Sequence, residues 1–136
     1  LFLRPRPGGF AGLADVQWLP GSCVLLADAP TAERLTALPR TTRFSFLESM
    51  DRLGRAVERA CADADPAFRR INLEILGNTD PFLHAHIWPR YEWEPPELRR
   101  RPVWLYPAEK WVDPSTALGA QHDALRVAIA RHLNAE

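Results

Sequence analysis

Two alternating runs joined by a short polar turn constrain the fold more than any other part of this sequence. From Arg70 to Gly77 the side chains alternate between apolar and polar, as they do on a strand with one buried face. The segment 78–81 reads Asn-Thr-Asp-Pro, which is a strong turn signal, and alternation resumes from Phe82 to Trp88. Two such runs with so short a connection predict a β-hairpin, and therefore antiparallel pairing.

The remaining periodicities complete an α+β prediction. Apolar residues spaced three and four apart predict a long amphipathic helix from about Arg43 to Ala62, and Ser45 with Glu48 has capping-box spacing. A second helix is expected near the C-terminus, over Ala117 to Leu133. Further strands are expected over Phe10–Trp18, Cys23–Ala27 and Val103–Tyr106, which gives an antiparallel sheet of about five strands with one long central helix and a C-terminal helix.

Length and charge narrow the class of protein. The 136 residues fit a single domain over 1–136, with a Pro- and Gly-rich arm at 1–9. The chain begins at Leu1, so we expect a segment upstream of it. Equal numbers of acidic and basic residues, 17 of each, argue against a nucleic-acid coat or an electrostatic membrane binder. No apolar run approaches the roughly 18 residues of a membrane span. Cys23 and Cys61 lack metal or redox spacing, so we expect reduced thiols and a cytoplasmic location.

The one stretch that predicts chemistry is the second strand of the hairpin. His84 and His86 lie two residues apart, so they project from the same face about 7 Å apart. Paired imidazoles on a rigid strand suit three chemistries: nucleophilic attack on phosphorus, metal ligation, or general acid–base catalysis without a covalent intermediate. Metal ligation needs a third ligand. The residues three and four positions after His86 are Arg90 and Tyr91, which do not supply one, although Asp80 or Glu92 could converge on the pair.

The segment His84-Ala85-His86-Ile87-Trp88-Pro89-Arg90 resembles the signature strand of the histidine triad (HIT) superfamily of nucleotide hydrolases and transferases. That signature reads His-φ-His-φ-His-φ-φ, where φ is apolar, and is often followed by Pro-Arg. Aligning Pro89-Arg90 with that ending makes His86 the third histidine of the triad and His84 the middle one, the family's phosphorus nucleophile. Phe82 then replaces the first histidine. A second frame, with His84 first and Trp88 third, loses the Pro-Arg match.

The resemblance extends to candidate binding residues. The stretch from Gly12 to Gly21 is similar to the family's strand end that carries an Asp for the ribose hydroxyls, a role that falls to Asp15. Asn78 and Thr79 correspond to the polar loop that holds the phosphates. Asn72 is a candidate for the family's nucleotide-contacting Asn. Leu13, Val16 and Trp18 could line an apolar base slot or simply pack in the core. Trp93 and Trp104 could stack a base or seal a dimer interface.

The resemblance implies a nucleotide hydrolase or nucleotidyltransferase. It would act on the α-phosphate of adenosine polyphosphates, dinucleoside polyphosphates or phosphoramidates through a nucleotidyl-histidine at His84, with His86 assisting. Within the superfamily, the sequence looks closest to bacterial proteins labelled diadenosine tetraphosphate hydrolases. The resemblance implies no cofactor and no metal, an AMP-containing substrate and a homodimer. The balanced charge and the lack of a long apolar run argue against nucleic-acid and membrane partners. Two alternatives stay open: a nucleotide-binding or regulatory module with weak turnover, because Phe82 departs from the triad, and a metal-dependent enzyme that uses His84 and His86 as ligands.

Overall fold

The computed structural model describes residues 2–6 and 8–135. Its centre is a five-stranded antiparallel sheet in the order β1-β2-β3-β5-β4. The strands are β1 (Phe2–Arg6), β2 (Gly9–Leu13), β3 (Cys23–Ala27), β4 (Phe68–Glu74) and β5 (His84–Tyr91). Helix α1 (Arg40–Ala64) lies between β3 and β4, and helix α2 (Asp123–Asn134) closes the chain. The predicted α+β architecture, with a sheet of about five strands, a long central helix and a C-terminal helix, is confirmed.

Helix α1 forms because its apolar residues return every three to four positions and meet the core. Phe46, Leu53 and Val57 are among its fully buried side chains, and complete burial of each is worth about 1.5–3 kcal/mol. The predicted start was too late. The helix begins at Arg40, directly after Pro39, so Ser45 and Glu48 lie inside the helix and not at its cap. A proline with φ fixed near its helical value marks that boundary instead.

The predicted hairpin of β4 and β5 is confirmed, and its register determines what faces the solvent. Glu74 pairs with His86 and Asn72 with Trp88, while on the other side of β5 Leu26 of β3 pairs with His84. The alternate residues of β5, Ala85 and Ile87, are completely buried. The two histidines therefore share the face opposite the apolar core, as the period-two pattern predicts.

Two predictions about individual elements were wrong. The second strand of the hairpin, predicted to end at Trp88 before Pro89, continues to Tyr91. β3 pairs with β5 only as far as Ile87, so one side of β5 is free beyond that point and tolerates a residue without an N–H. Residues Val103–Leu105 form a 3₁₀ turn between two prolines, Pro102 and Pro107, and not a strand.

The chain ends also differ from the prediction. Phe2–Arg6, predicted as part of an arm, forms β1 and pairs with β2; Leu1 and Pro7 of that predicted arm lie outside the described residues. The C-terminal helix α2, predicted to begin at Ala117, begins at Asp123. Residues 103–122 contain short 3₁₀ turns, and Ala117 forms a β-bridge with Val16. None of the helices that the structure describes is both long and apolar enough to cross a membrane.

Candidate active site

The two histidines of β5 open into a cleft of about 450 Å³ beside the loop that follows β4. Their ring centroids are 4.9 Å apart and the ring planes are nearly perpendicular, at 81°. The cleft is also lined by the loop residues 76–80 and by Trp104. One small ligand group could therefore touch both imidazoles and the loop at the same time.

The His84 ring is held in one orientation by a backbone hydrogen bond. Nδ1 of His84 lies 2.8 Å from the carbonyl oxygen of Phe82. Because a carbonyl oxygen can only accept, this bond places the proton on Nδ1 and leaves the lone pair on Nε2. The imidazole is thereby set in the tautomer that a nucleophile needs.

Phe82 stands where the resemblance to the histidine triad strand places the first histidine, and its backbone carbonyl orients His84. The Phe82 ring packs against the His84 ring with centroids 4.5 Å apart and remains about half exposed. The substitution therefore changes the side chain beside His84, whereas the carbonyl that fixes the His84 tautomer is common to every residue type.

His86 is the neutral imidazole beside His84. It stacks on the Trp88 indole at 5.1 Å with an interplanar angle of 11°. Burial, and then the neighbouring His84, lowers the pKa of His86 to about 4, so that its ring is neutral at pH 7. Its Nδ1 is buried without a hydrogen-bond partner. A bare lone pair there costs less than a bare N–H, which favours the proton on Nε2. In these tautomers Nε2 of His84 is an acceptor and Nε2 of His86 is a donor.

The loop that ends the cleft brings in two of the predicted residues. Asn78 and Thr79 both line the cleft, together with Asp80. Gly77 turns the chain into this loop with φ at +94°, a left-handed conformation that side chains with a Cβ rarely adopt. The backbone therefore turns sharply at the edge of the cleft and places polar groups opposite the histidines.

The other predicted site residues lie elsewhere. Leu13 and Trp18 are buried core residues, 3% and 6% exposed, so a base in this cleft does not contact them. Asp15 is exposed on the connection after β2, where its carbonyl accepts a hydrogen bond from the Leu118 N–H, and it does not line the cleft. The Oδ1 of Asn72 accepts from Arg90 in a neighbouring groove, so this amide already has a structural partner.

Trp104, which by sequence could stack a base or seal a dimer interface, forms an aromatic wall of the cleft. Trp104 lines it, with its ring 5.4 Å from that of His86 and 5.6 Å from that of Trp88. One oxygen of Glu74, Oε2, accepts the indole N–H of both tryptophans, at 3.0 Å from Trp88 and 2.8 Å from Trp104. The signal for Trp88 and Glu74 lay in the hairpin register. Trp104 has no such signal, because a long irregular segment separates it from β5.

A buried ion pair fixes that irregular segment to the strand. Arg90 and Glu94 approach to 2.9 Å, and both side chains are almost completely buried. The Arg90 guanidinium also donates to the carbonyl oxygens of Leu98, Arg99 and Arg101.

The Glu94 carboxylate has partners of its own on both sides of the ion pair. It accepts from the Tyr91 N–H at 2.6 Å and from the Tyr106 hydroxyl at 2.7 Å. Burial, and then the hydrogen bond to Glu94, raises the pKa of Tyr106 above its usual value, so this hydroxyl stays protonated and donates. Together these bonds position the turn that carries Trp104.

The metal alternative lacks a complete ligand set. Across residues 2–6 and 8–135, no group of three or more His, Cys, Asp or Glu side chains is placed to hold a metal ion. His84 and His86 form only a pair of nitrogen ligands, and a catalytic zinc normally has three protein ligands.

Comparison with known proteins identifies the fold. No family model and no curated protein sequence matches the chain. Solved structures do match. The chain is similar to a histidine triad protein from Marinobacter aquaeolei VT8, with a TM-score of 0.79, 18% identity, and coverage of 99% of this chain and 89% of the other. A histidine triad protein from Sinorhizobium meliloti 1021 matches with a TM-score of 0.77, 16% identity, and coverage of 97% and 88%.

A third match, from Mycobacterium smegmatis, is described as a zinc-bound histidine triad family protein. It has a TM-score of 0.61, 19% identity, and coverage of 99% and 87%. These likenesses extend over nearly the whole chain, and they agree on one architecture. The class that they define is the antiparallel α+β fold of the histidine triad proteins. This chain has the histidine triad fold.

Proposed function

We propose that the chain is a member of the histidine triad superfamily that transfers a nucleotidyl group to His84 and then to water. The observation that carries the proposal is the His84 imidazole, whose Nδ1 is bonded to the Phe82 carbonyl in a cleft that it shares with His86. The substrate would be an adenosine phosphate with a leaving group on its α-phosphorus, such as a dinucleoside polyphosphate or a phosphoramidate.

The chemistry proceeds in two displacements. The Nε2 lone pair of His84 attacks the α-phosphorus and forms a P–N bond, while the bond from phosphorus to the leaving group breaks and the leaving group takes a proton from solvent. Water then attacks the same phosphorus, the P–N bond breaks, and the nucleoside monophosphate departs as a proton is released. Two easier steps replace one difficult displacement.

The neighbours supply charge stabilisation and positioning. The Nε2–H of neutral His86 donates to a non-bridging phosphate oxygen as negative charge develops there. The loop residues Asn78 and Thr79, which line the same cleft, would hold the remaining phosphate oxygens. Asp15 and Asn72 lie outside the cleft. Ribose binding by Asp15 and nucleotide contact by Asn72 stay predictions.

A second candidate is a nucleotide-binding module with little turnover. Phe82 favours it, because a phenyl ring beside His84 can neither donate nor relay a proton where the family has its first histidine. The module would bind AMP in the same cleft and release it unchanged. The two candidates differ in turnover and not in binding.

Turnover tests separate these functions. Hydrolysis of adenosine phosphoramidate and of diadenosine tetraphosphate should persist in a chelator, which the metal-dependent alternative forbids. His84→Ala should abolish turnover with the fold intact by circular dichroism, and His86→Ala should weaken it less. The matched control is His122→Ala, which removes a histidine outside the cleft. Full activity in His84→Ala would refute the nucleophile, and AMP binding without any turnover would favour the binding module.

We also propose a homodimer and a cytoplasmic location. The strand β4 lies at the edge of the sheet, so a second copy could extend the sheet there. Cys23 and Cys61 are both free and buried, which suits a reducing compartment. Sedimentation analysis of the purified chain tests the dimer, and a monomer at all concentrations would refute it.

A further inference from the structure

We propose that Trp104, held by Glu74, is the surface on which the planar ring of the ligand stacks. This inference rests on the proposed function, because it places the base of the nucleotide whose phosphorus meets His84. Trp93 and Trp104 could both stack a base by sequence, and the base is assigned to Trp104 because it alone of the two lines the cleft. The chemical class of ligand is a flat heteroaromatic ring joined to a phosphate.

Trp104 presents an aromatic surface inside the cleft. Its indole lines the cleft and stays 44% exposed although the ring of Trp111 stacks on it at 4.8 Å and 15°. Leu76, also lining the cleft, is 48% exposed. Two large apolar side chains left open in one small cleft are a binding surface for an apolar, flat group.

The position of Trp104 suits a base whose phosphate lies at His84. The Trp104 ring is 5.4 Å from the His86 ring, and the His86 ring is 4.9 Å from the His84 ring. The Trp104 and His84 rings therefore both adjoin the His86 ring, and the ribose and 5′-oxygen of a nucleoside monophosphate can span the distance between them. In contrast Trp18, another aromatic residue that could line a base slot by sequence, is buried under Tyr106 and Trp111.

Glu74 is the positioning residue for this wall. Its Oε2 accepts the N–H of Trp104 at 2.8 Å and that of Trp88 at 3.0 Å, so one carboxylate oxygen connects the cleft wall to the ring that stacks on His86. Glu74 lies opposite His86 in the β4–β5 register, which fixes its own place. A charge-assisted bond to an indole N–H is roughly twice as strong as a neutral one, so the orientation of Trp104 depends on this carboxylate.

The first test compares a ligand that has the base with one that lacks it. Calorimetry would measure the dissociation constants of AMP and of ribose 5-phosphate for the wild type, Trp104→Leu and Trp104→Phe. Stacking of a base on an aromatic side chain accounts for about a tenfold change in affinity. Trp104→Leu should therefore weaken AMP about tenfold and leave ribose 5-phosphate unchanged, and Trp104→Phe should recover most of the AMP affinity.

The matched control is Trp93→Leu. Trp93 is 49% exposed, its indole N–H donates to a carboxylate oxygen of Asp65, and it stacks on Tyr91, but it lies outside the cleft. It should leave both affinities unchanged. Equal AMP affinity in the wild type and Trp104→Leu would overturn the stacking site and leave the proposed function standing. Failure of the wild type to bind either ligand would instead refute the proposed function.

The second test addresses Glu74 and any folding defect. Glu74→Leu should weaken AMP as Trp104→Leu does, and Glu74→Gln, whose amide oxygen can still accept from the indoles, should restore most of the affinity. Unchanged AMP affinity in Glu74→Leu would overturn the positioning role. If Trp104→Leu does not fold, the nuclear Overhauser effect between the adenine H8 and H2 protons and the Trp104 ring decides in the wild type. Its absence with AMP bound would overturn the proposal.

Discussion

Glu94→Ala should lower the free energy of unfolding by about 3–5 kcal/mol, because it leaves the Arg90 guanidinium buried without its counter-ion. The pair is 2.9 Å apart with side chains 4% and 0% exposed, so solvent cannot replace the lost carboxylate. The variant also removes the acceptor for the Tyr91 N–H and the Tyr106 hydroxyl. The predicted range includes the loss of these two hydrogen bonds, because local rearrangement recovers part of the cost of about 1–3 kcal/mol for each unpaired group.

The matched control is Glu92→Ala. Glu92 also contacts two arginines, Arg69 at 3.1 Å and Arg99 at 3.4 Å, but its side chain is 59% exposed. An exposed pair of this kind contributes roughly 0.2–1 kcal/mol, and the contribution falls with added salt. Both variants therefore remove arginine ion pairs, but Glu94→Ala removes a buried one together with two hydrogen bonds from Tyr91 and Tyr106.

Urea unfolding, followed by tryptophan fluorescence and circular dichroism, measures both variants. Coincident transitions from the two signals would support a two-state interpretation. Glu94→Ala should also reduce the order of the turn that carries Trp104, so its AMP affinity should fall. A loss of stability in Glu94→Ala no larger than in Glu92→Ala would refute the role assigned to the buried pair.

Three further predictions concern pH, backbone strain and thiol reactivity. Because the pKa of His86 is about 4 in the folded chain and near 6.5 when unfolded, its contribution to stability is present above pH 6.5 and is lost as pH falls towards 4. His86→Gln should therefore flatten the urea midpoint over that range, and an unchanged profile would contradict the low pKa. Gly77→Ala should cost roughly 1–2 kcal/mol because φ is +94°, whereas Gly119→Ala, at negative φ, should cost less in the same urea assay; equal losses would contradict the strain. Burial raises the pKa of Cys61 to about 11 and that of Cys23 well above its usual value, so both thiols should resist a disulfide reagent at pH 8 until urea unfolds the chain. Rapid labelling of either thiol in the native chain would contradict their burial.

The sequence predicted those parts of the fold that depend on local periodicity. The hairpin 70–88 and the central helix follow from periods of two and 3.6, and both are confirmed within a few residues. The strand at Phe2–Arg6 could not be predicted in this way, because it is specified by pairing with β2 and not by its own pattern. Val103–Tyr106 shows the opposite error, since its strand-like composition is overridden by the prolines at either end.

In the candidate site, too, the sequence located the residues that depend on local pattern and not the one placed by a tertiary contact. His84 and His86, with Asn78 and Thr79 in the adjoining loop, came together because they are close in sequence and belong to one hairpin. Trp104 reaches the cleft through a long irregular segment that is fixed by the buried Arg90–Glu94 pair, a tertiary contact with no periodic signal. Leu13 and Trp18 were apolar residues in a plausible place, but apolar composition alone does not separate a base slot from the core.

The most direct measurement of the central claim is the location of a covalently bound nucleotide. The wild type would be mixed with adenosine phosphoramidate carrying ³²P at the α-phosphorus, quenched in alkali during turnover and digested. The label should be recovered on the peptide that contains His84, in wild type and in the His122→Ala control, and be absent from His84→Ala. Label on a different residue, or full turnover with no covalently retained phosphorus, would contradict nucleophilic attack by His84.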